Sequence, residues 1–314
     1  MIVTVTANPS LDRAVTLGAA LRPGEVQAAV SSREDAGGKG VNVARATAAA
    51  DVGTTAVIPL SATDPYAAVL AATALPLRIV PIVGHARANL TVLDPDGITT
   101  KINLPGAPLS EGDVAALIAA TVDAAAGADW LVLAGSLPPG AGDDLYARII
   151  AAVRSAYGAA APRVAVDTSG PALHASVEHA RPDLIKPNEH ELAELTGAAA
   201  DPGDIDGLVR LARTLVPEKV GAALITLGAA GALLVTADGV WVGTAPRIEA
   251  VSTVGAGDSS LAGFLLADVA GASPAERLRH AMRYGAAAAS LPGTQPPTPA
   301  DLPAVDIPIE HLAR

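Results

Sequence analysis

Residues 129–170, DWLVLAGSLPPGAGDDLYARIIAAVRSAYGAAAPRVAVDTSG, carry the pattern from which the fold class follows. DWLVLAG (129–135) is a short apolar run closed by glycine and proline, which marks a buried strand ending in a turn. GDDLYARIIAAVRSAYG (142–158) mixes apolar and charged residues as an amphipathic helix does, and RVAVDTSG (163–170) returns to a short apolar run. Strand, helix, strand in this order is the repeating unit of a parallel sheet.

The same alternation extends in both directions. IVTVT (2–6), TAVIPL (55–60), DLIKPN (183–188) and AALITLG (222–228) read as further buried strands. GVNVARATAAADV (40–52), SEGDVAALIAATVDAAAG (110–127) and IDGLVRLARTLV (205–216) read as helices. The expected fold is α/β, a mostly parallel central sheet with helices on both faces, in which ligands gather at the carboxyl ends of the strands. Residues 13–35 and 86–104 depart from it: they alternate apolar and polar, with DPDG (94–97) as a hairpin turn. They are expected to form a small antiparallel β lid on a single domain spanning 1–314. The Pro-rich stretch SLPGTQPPTP (290–299) opens a tail expected to wrap the surface.

Composition narrows the function. Half of the 314 residues are hydrophobic, but the aromatics are only two Trp, four Tyr and one Phe, so the core must be aliphatic. A net charge of −11 argues against nucleic acid as a partner, since such binding needs a basic footprint. It leaves room for a small anionic ligand, which a few local cations can hold. The absence of cysteine excludes disulfides, thiolate zinc sites and thiol catalysis, and suits a reducing cytoplasm. MIVTVTANPSLDR has no basic region and no cleavable apolar core, so it reads as a first strand. The longest apolar stretch, AALITLGAAGALLV (222–235), is interrupted by glycines and is too short to cross a membrane.

Several common phosphate and hydrolase signatures are absent. AGGKGVN (36–42) lacks the spacing of a Walker A loop, GAGDSS is not GxGxxG, and AGSLPPG is not a nucleophile elbow. The six histidines include no HExxH, and His174 and His179 read as surface residues.

Four segments remain that make chemical sense together. In NPSLDR (8–13), Asp12 follows the first strand and could accept hydrogen bonds from sugar hydroxyls; a turn Asp after proline reads equally well. DAGGKGVNVAR (35–45) is a Gly-rich approach to a helix whose backbone N–H groups suit hydroxyls or anions, with Lys39 and Asn42 adding polar contacts. In KPNEHEL (186–192), Asn188 and Glu191 lie three apart on one helix face and could orient water around Mg²⁺. The same pair also fits an N-cap with its capping box. In STVGAGDSS (252–260), the amides of Gly255, Ala256 and Gly257 could cradle developing negative charge while Asp258 takes a proton from an attacking hydroxyl.

In order and spacing these motifs resemble the ribokinase-like (PfkB) family of sugar kinases over nearly the whole chain. GGKGVNVARA and STVGAGDSSLAGFL are similar to its two signatures, and KPNEHE to its NxxE magnesium motif. NPSLDR, REDAGGKGVNVAR, GSLPPG and KPNEHELAELTG most resemble the branch of 1-phosphofructokinases and tagatose-6-phosphate kinases. The resemblance implies phosphoryl transfer from ATP, with Mg²⁺, to a sugar phosphate, fructose 1-phosphate first among the candidates.

It also implies residue roles. Asp258 is the expected base, and Gly255, Ala256 and Gly257 the anion hole. Asn188 and Glu191 would organise Mg²⁺ through water, with Lys186 near the nucleotide phosphates and Thr226, Gly228 and Gly231 lining the nucleotide pocket. Asp12, Gly38, Lys39 and Asn42 would hold the sugar. Arg87 would bind the phosphate already on the substrate, with Lys101 and Ser136 at the same end. Two converging cations, Lys39 and Arg87, favour a sugar phosphate over a neutral sugar or nucleoside, because charge-assisted bonds to phosphate are strong. Ser252 stands where many relatives have Asp, at a site for a monovalent cation such as K⁺ near Ser252, Val254 and Gly293. The family's lid often joins two subunits, so a homodimer is expected, with no nucleic-acid or membrane partner.

Overall fold

The strand Trp130–Ala134 pairs in parallel with Arg163–Asp167, from Trp130 opposite Arg163 to Ala134 opposite Asp167, and the helix Leu145–Tyr157 crosses between them. The computed structural model describes residues 1–312. From the N-terminus the elements are β1 (Ile2–Val5), β2 (Ser10–Leu17), β3 (Ala29–Gly37), α1 (Lys39–Ala48), β4 (Thr54–Leu60), α2 (Pro65–Ala71) and β5 (Leu77–Pro81). There follow β6 (Arg87–Leu93), β7 (Thr99–Asn103), α3 (Glu111–Ala124), β8 (Trp130–Ala134), α4 (Leu145–Tyr157), β9 (Arg163–Asp167) and α5 (Gly170–Ala180). Next come β10 (Leu184–Ile185), α6 (Glu189–Thr196), α7 (Ile205–Arg213), β11 (Ala222–Thr226), β12 (Ala232–Thr236) and β13 (Gly239–Gly243). The last are α8 (Ala256–Val269), α9 (Pro274–Ala289) and β14 (Ile309–Leu312).

The main sheet runs β14-β13-β12-β11-β10-β9-β8-β1-β4-β5. Its pairings are parallel from β5 to β11 and antiparallel from β11 to β14. Side chains alternate between the faces, and both faces are buried. Leu131 and Leu133 join Val3, Val5, Val164 and Val166 in one aliphatic cluster. Trp130, Val132 and Ala134 join Ile2, Leu261 and Leu265 in the other. Burying such aliphatic side chains contributes about 1.5–3 kcal/mol each.

The lid is a four-stranded sheet, β3-β2-β6-β7. Its hairpins are antiparallel, as expected, but β2 and β6 join them by a parallel pairing that alternation alone does not distinguish. β2 begins at Ser10 and not near residue 13, so Asp12 lies on a lid strand opposite Asn89 and not in a turn. The strand expected at 222–228 is β11, and the glycines that interrupt the stretch 222–235 turn it back as a hairpin: Gly231 has φ +130°, and a Cβ there would collide with the Gly243 carbonyl. One further reading is corrected. The tail does not merely wrap the surface, because Ile307 is fully buried and β14 extends the sheet by pairing with β13. Among the described residues, no helix is long and apolar enough to cross a membrane.

Candidate active site

β1, β8, β9, β10 and β11 are parallel neighbours, so the chain leaves all of them at one edge of the sheet. A cavity of about 360 Å³ opens there. Asp12, Gly38, Lys39, Asn42, Arg87, Lys186, Asn188, Glu191, Thr226, Val254, Gly255, Gly257 and Asp258 line it. Most of the residues singled out in the sequence, separated by up to most of the chain, meet around this one space.

Asp258 sits in the first turn of α8, whose N-cap, Gly255, is left-handed at φ +79°. No side chain caps this helix start, so the amides at its positive end are left to the cavity. Gly255 and Gly257 face the cavity, whereas the Ala256 N–H is directed at the Thr253 carbonyl at 3.4 Å. The Asp258 carboxylate is buried, and Asn42 Nδ2 donates to its Oδ2 at 2.8 Å. Burial, and then the nearby Asp167 carboxylate, push the Asp258 pKa up to about 6 against the opposing pull of Lys39, Asn42 and Lys186.

Asp167 was not singled out in the sequence. It ends β9, is 1% exposed, and receives two ammonium groups: Lys39 Nζ at 2.8 Å from Oδ1 and Lys186 Nζ at 3.3 Å from Oδ2. Burial would raise its pKa, but Lys186 and Lys39 hold it below the ordinary carboxylate value. Burial would lower the Lys39 pKa; Asp167 and Asp258 raise it on balance. The signal in the sequence is slight, a single acid closing the apolar run RVAVD.

On the lid side, Asn89 Nδ2 donates to Asp12 Oδ1 at 2.9 Å, and burial raises the Asp12 pKa. Gly38 has φ +113°, and a Cβ there would fall 2.7 Å from Thr6 Cγ2, so only glycine brings the chain into α1 at this point. Arg87 lines this cavity and a second cleft of about 940 Å³ that also contains Asn8, Gly106 and Leu137. Among the described residues, Arg87 Nε, Asn42 Oδ1 and Asn89 Oδ1 are buried on this cavity's wall without a hydrogen-bond partner. Buried polar groups are normally paired, so these three leave hydrogen-bonding capacity unused on the cavity's wall.

Ser136 lines none of the three cavities; it is exposed, and it accepts from Asn8 Nδ2 at 3.3 Å, while Asn8 and Leu137 line the cleft. Lys101 is not brought to the site. It lies exposed on β7, the edge strand of the lid, four of whose five residues are exposed, and it lines none of the three cavities.

On the opposite side of the GAG loop lies a cavity of about 800 Å³. Thr226, Gly228, Gly231, Ala256 and Gly257 line it, with apolar walls from Leu224, Ile248, Met282 and Ala289. Gly257 leaves space for the Lys186 ammonium, since a Cβ there would lie 3.2 Å from Nζ. For KPNEHEL the capping box is formed, and the same two side chains also face the smaller cavity. Asn188 Oδ1 accepts from the Glu191 N–H at 2.8 Å, and the Asn188 N–H donates to Glu191 Oε2 at 2.9 Å. Among the described residues no cluster of three or more His, Cys, Asp or Glu could hold a metal alone. One carboxylate oxygen of Glu191 is left over from the cap, which suits Mg²⁺ held largely by water and phosphate oxygens. At the third predicted site, Ser252 Oγ donates to the Gly293 carbonyl at 3.2 Å, and the Val254 N–H to Ser252 Oγ at 3.3 Å. The Arg33 guanidinium packs against Gly293 where a side chain would otherwise stand.

Comparison with known proteins agrees with this geometry. The model of the pfkB family carbohydrate kinases matches residues 6–301. A 1-phosphofructokinase of Rhodobacter capsulatus is 36% identical over 312 residues, covering 97% of this chain and 95% of that protein. The ATP-dependent 6-phosphofructokinase isozyme 2 of Escherichia coli is 31% identical over 299 residues, covering 94% of each. The crystal structure of phosphofructokinase-2 from E. coli in complex with potassium superposes with a TM-score of 0.87 at 30% identity, covering 96% of each chain.

Proposed function

The chain belongs to the pfkB family of carbohydrate kinases, and from that premise we propose that it transfers the γ-phosphoryl group of ATP to the 6-hydroxyl of fructose 1-phosphate. At the coarser level it is a sugar-phosphate kinase, a phosphotransferase acting on a sugar hydroxyl. The observation that carries the sugar-phosphate reading is the convergence of Lys39, Arg87 and Asp258 on one cavity, with Arg87 Nε buried and unpartnered. The choice of fructose 1-phosphate rests on the 36% identity to the 1-phosphofructokinase of Rhodobacter capsulatus. Asp12 offsets part of the Arg87 charge, and a phosphate on the sugar would supply the rest.

Each group then has a task. Asn42 holds one oxygen of Asp258, leaving the other for the 6-hydroxyl proton. As that oxygen attacks the γ-phosphorus, its proton passes to Asp258 and the bond to ADP breaks. Charge building on the phosphoryl oxygens meets the amides of Gly255 and Gly257 at the positive end of α8, with the Ala256 N–H released from Thr253 to join them. Lys39 faces the sugar side and Lys186 the nucleotide side. Asp12, Gly38 and Asn42 hold the sugar, and Arg87 binds the phosphate it already carries, with Ser136 supporting that end. The larger cavity, with Thr226, Gly228 and Gly231, takes the nucleotide. Asn188 and Glu191 would hold Mg²⁺ through water, which when bound neutralises charge on the phosphates.

The fit to a monovalent cation is incomplete. The Gly293 carbonyl already accepts from Ser252, and the Arg33 guanidinium supplies positive charge beside it, so no step is assigned to potassium. Residues 1–314 act as one kinase domain in the cytoplasm, where ATP is supplied. A second reading, a 6-phosphofructokinase, is favoured by the 31% identity to the E. coli isozyme. The two are separated by kcat/KM for fructose 1-phosphate, fructose 6-phosphate and tagatose 6-phosphate, each with saturating Mg-ATP. Fructose 1-phosphate is expected to lead; a lead for either 6-phosphate would move the phosphate-binding end of the site and refute the finer assignment.

A further inference from the structure

Asp167 does not line any of the three cavities, yet both lysines it binds line the smaller one. Each of its oxygens has its own ammonium, Lys39 on Oδ1 and Lys186 on Oδ2. Its backbone is fixed from both sides, because Ala134 of β8 pairs opposite it, the Gly135 N–H donates to its carbonyl at 2.9 Å, and the Lys186 N–H donates to the Val166 carbonyl at 3.2 Å. The two lysines come from different elements, the start of α1 and the segment after β10; Asp258 attracts both from across the cavity, but among the described residues only Asp167 makes an ion pair with each.

We propose that Asp167 is a positioning residue of the transfer reaction: its carboxylate spans Lys39 and Lys186 and sets the distance between the ammonium on the sugar side and the one on the nucleotide side. Two ammonium groups in a buried site repel each other and would seek water or separate rotamers. A rigid anion behind the cavity wall keeps both extended toward the same space before any phosphate arrives. Such preorganisation belongs to the transition state, where both cations must meet one phosphoryl group at once. Asp167 is not placed as the proton acceptor, because it does not line the cavity; its Oδ1 accepts from Lys39, and its Oδ2 faces Lys186 as an ion pair without a hydrogen bond. This inference rests on the sugar-phosphate kinase reading for the substrate, but its geometry does not depend on which sugar is used.

The test is a double-mutant cycle on the full chain, D167N against K39M, with melting temperatures measured alongside. D167N keeps the volume but can accept from only one lysine, so turnover of the preferred sugar phosphate should fall about 10²-fold, the scale of a small misplacement. The K39M/D167N variant should lose about tenfold less than the product of the two single losses, as expected for residues acting through each other. Losses that multiply, or a D167N kcat within about threefold of wild type, would overturn the proposal. Should D167N not fold, K186M/D167N replaces it: it removes one of the two repelling ammonium groups together with the carboxylate and leaves only Lys39 without its ion-pair partner. Against K186M it should lose a further tenfold or so through Lys39, and no further loss would count against the proposal. The corresponding cycle of D167N with K186M, read as ADP affinity by calorimetry, needs no turnover. A wild type that phosphorylates no sugar phosphate therefore defeats the parent reading, while coupling in ADP affinity still decides this one.

Discussion

Asp258 has to be a carboxylate to accept a proton, and its surroundings make that conditional on pH. Its pKa of about 6 is raised first by burial and then by Asp167, so it is largely ionised at neutral pH and becomes protonated as pH falls through 6. Turnover is therefore expected to decline on the acidic side with a midpoint near 6, and Asp258→Asn should lose about 10²–10⁴-fold in kcat while still binding ATP. A pH–rate profile and a calorimetric ATP titration check both; an Asn variant with wild-type kcat would remove Asp258 from this role. At this scale the sequence was informative wherever a residue belonged to a dense local motif. Asp258, Asn42, Lys39, Asn188 and Glu191 all stand in such segments and all reach the cavity. Asp167 stands alone at a strand end, and its partners lie 128 and 19 positions away, so only the folded sheet brings the three together. Lys101 also stands in a lid strand, and its charge suggested phosphate, but the fold leaves it exposed on the edge strand β7, away from the cavity.

Between residue and fold, the decisive elements are the glycine turn into α1 and the capless start of α8. Gly38 must adopt φ +113° beside Thr6 for Lys39 to open the helix where it does. Gly38→Ala is expected to destabilise the protein by about 1–3 kcal/mol, the range for a residue forced into a sparsely populated conformation. Denaturant unfolding measures this, and an unchanged midpoint would mean the turn relaxes freely. Turnover should fall in the same variant because Lys39 moves with the helix start. Element type was legible where the period was clear: the strands at 129–135 and 163–170 and the helix between them lie within a few residues of their expected positions. The glycines at 228 and 231 closed the strand at 222–228, but only the pairing shows that the chain reverses there and that 232–236 returns antiparallel beside it. Nor could the period give the parallel joint between the lid hairpins, which is a long-range pairing.

The whole molecule sets a mostly parallel sheet, with its ligand edge, under a lid that exposes several apolar side chains. Val26, Val30, Ile98, Ile102 and Leu104 are all exposed on or beside the lid strands, from the edge strand β3 to the edge strand β7. Exposed apolar surface of this kind suits association, and we propose that two copies pair through the lid. Light scattering at micromolar concentration should give a dimer, and Val30→Lys with Ile102→Lys should shift it to monomer; a wild type that is already monomeric would refute the pairing. The architecture was legible because βαβ alternation constrains topology so tightly. The edge strand β14 was not, since a proline-rich lead-in conceals a short strand that exists only by pairing with β13. The claim on which everything else depends is that this site reads a phosphate already present on the sugar. The most direct measurement is kcat/KM for fructose 1-phosphate relative to free fructose, in the wild type and in Arg87→Ala. A strong wild-type preference for the phosphate ester, eroded in the variant mainly through a higher KM, is the expected result. Equal use of both sugars by the wild type, or a preference untouched by removing Arg87, would contradict it.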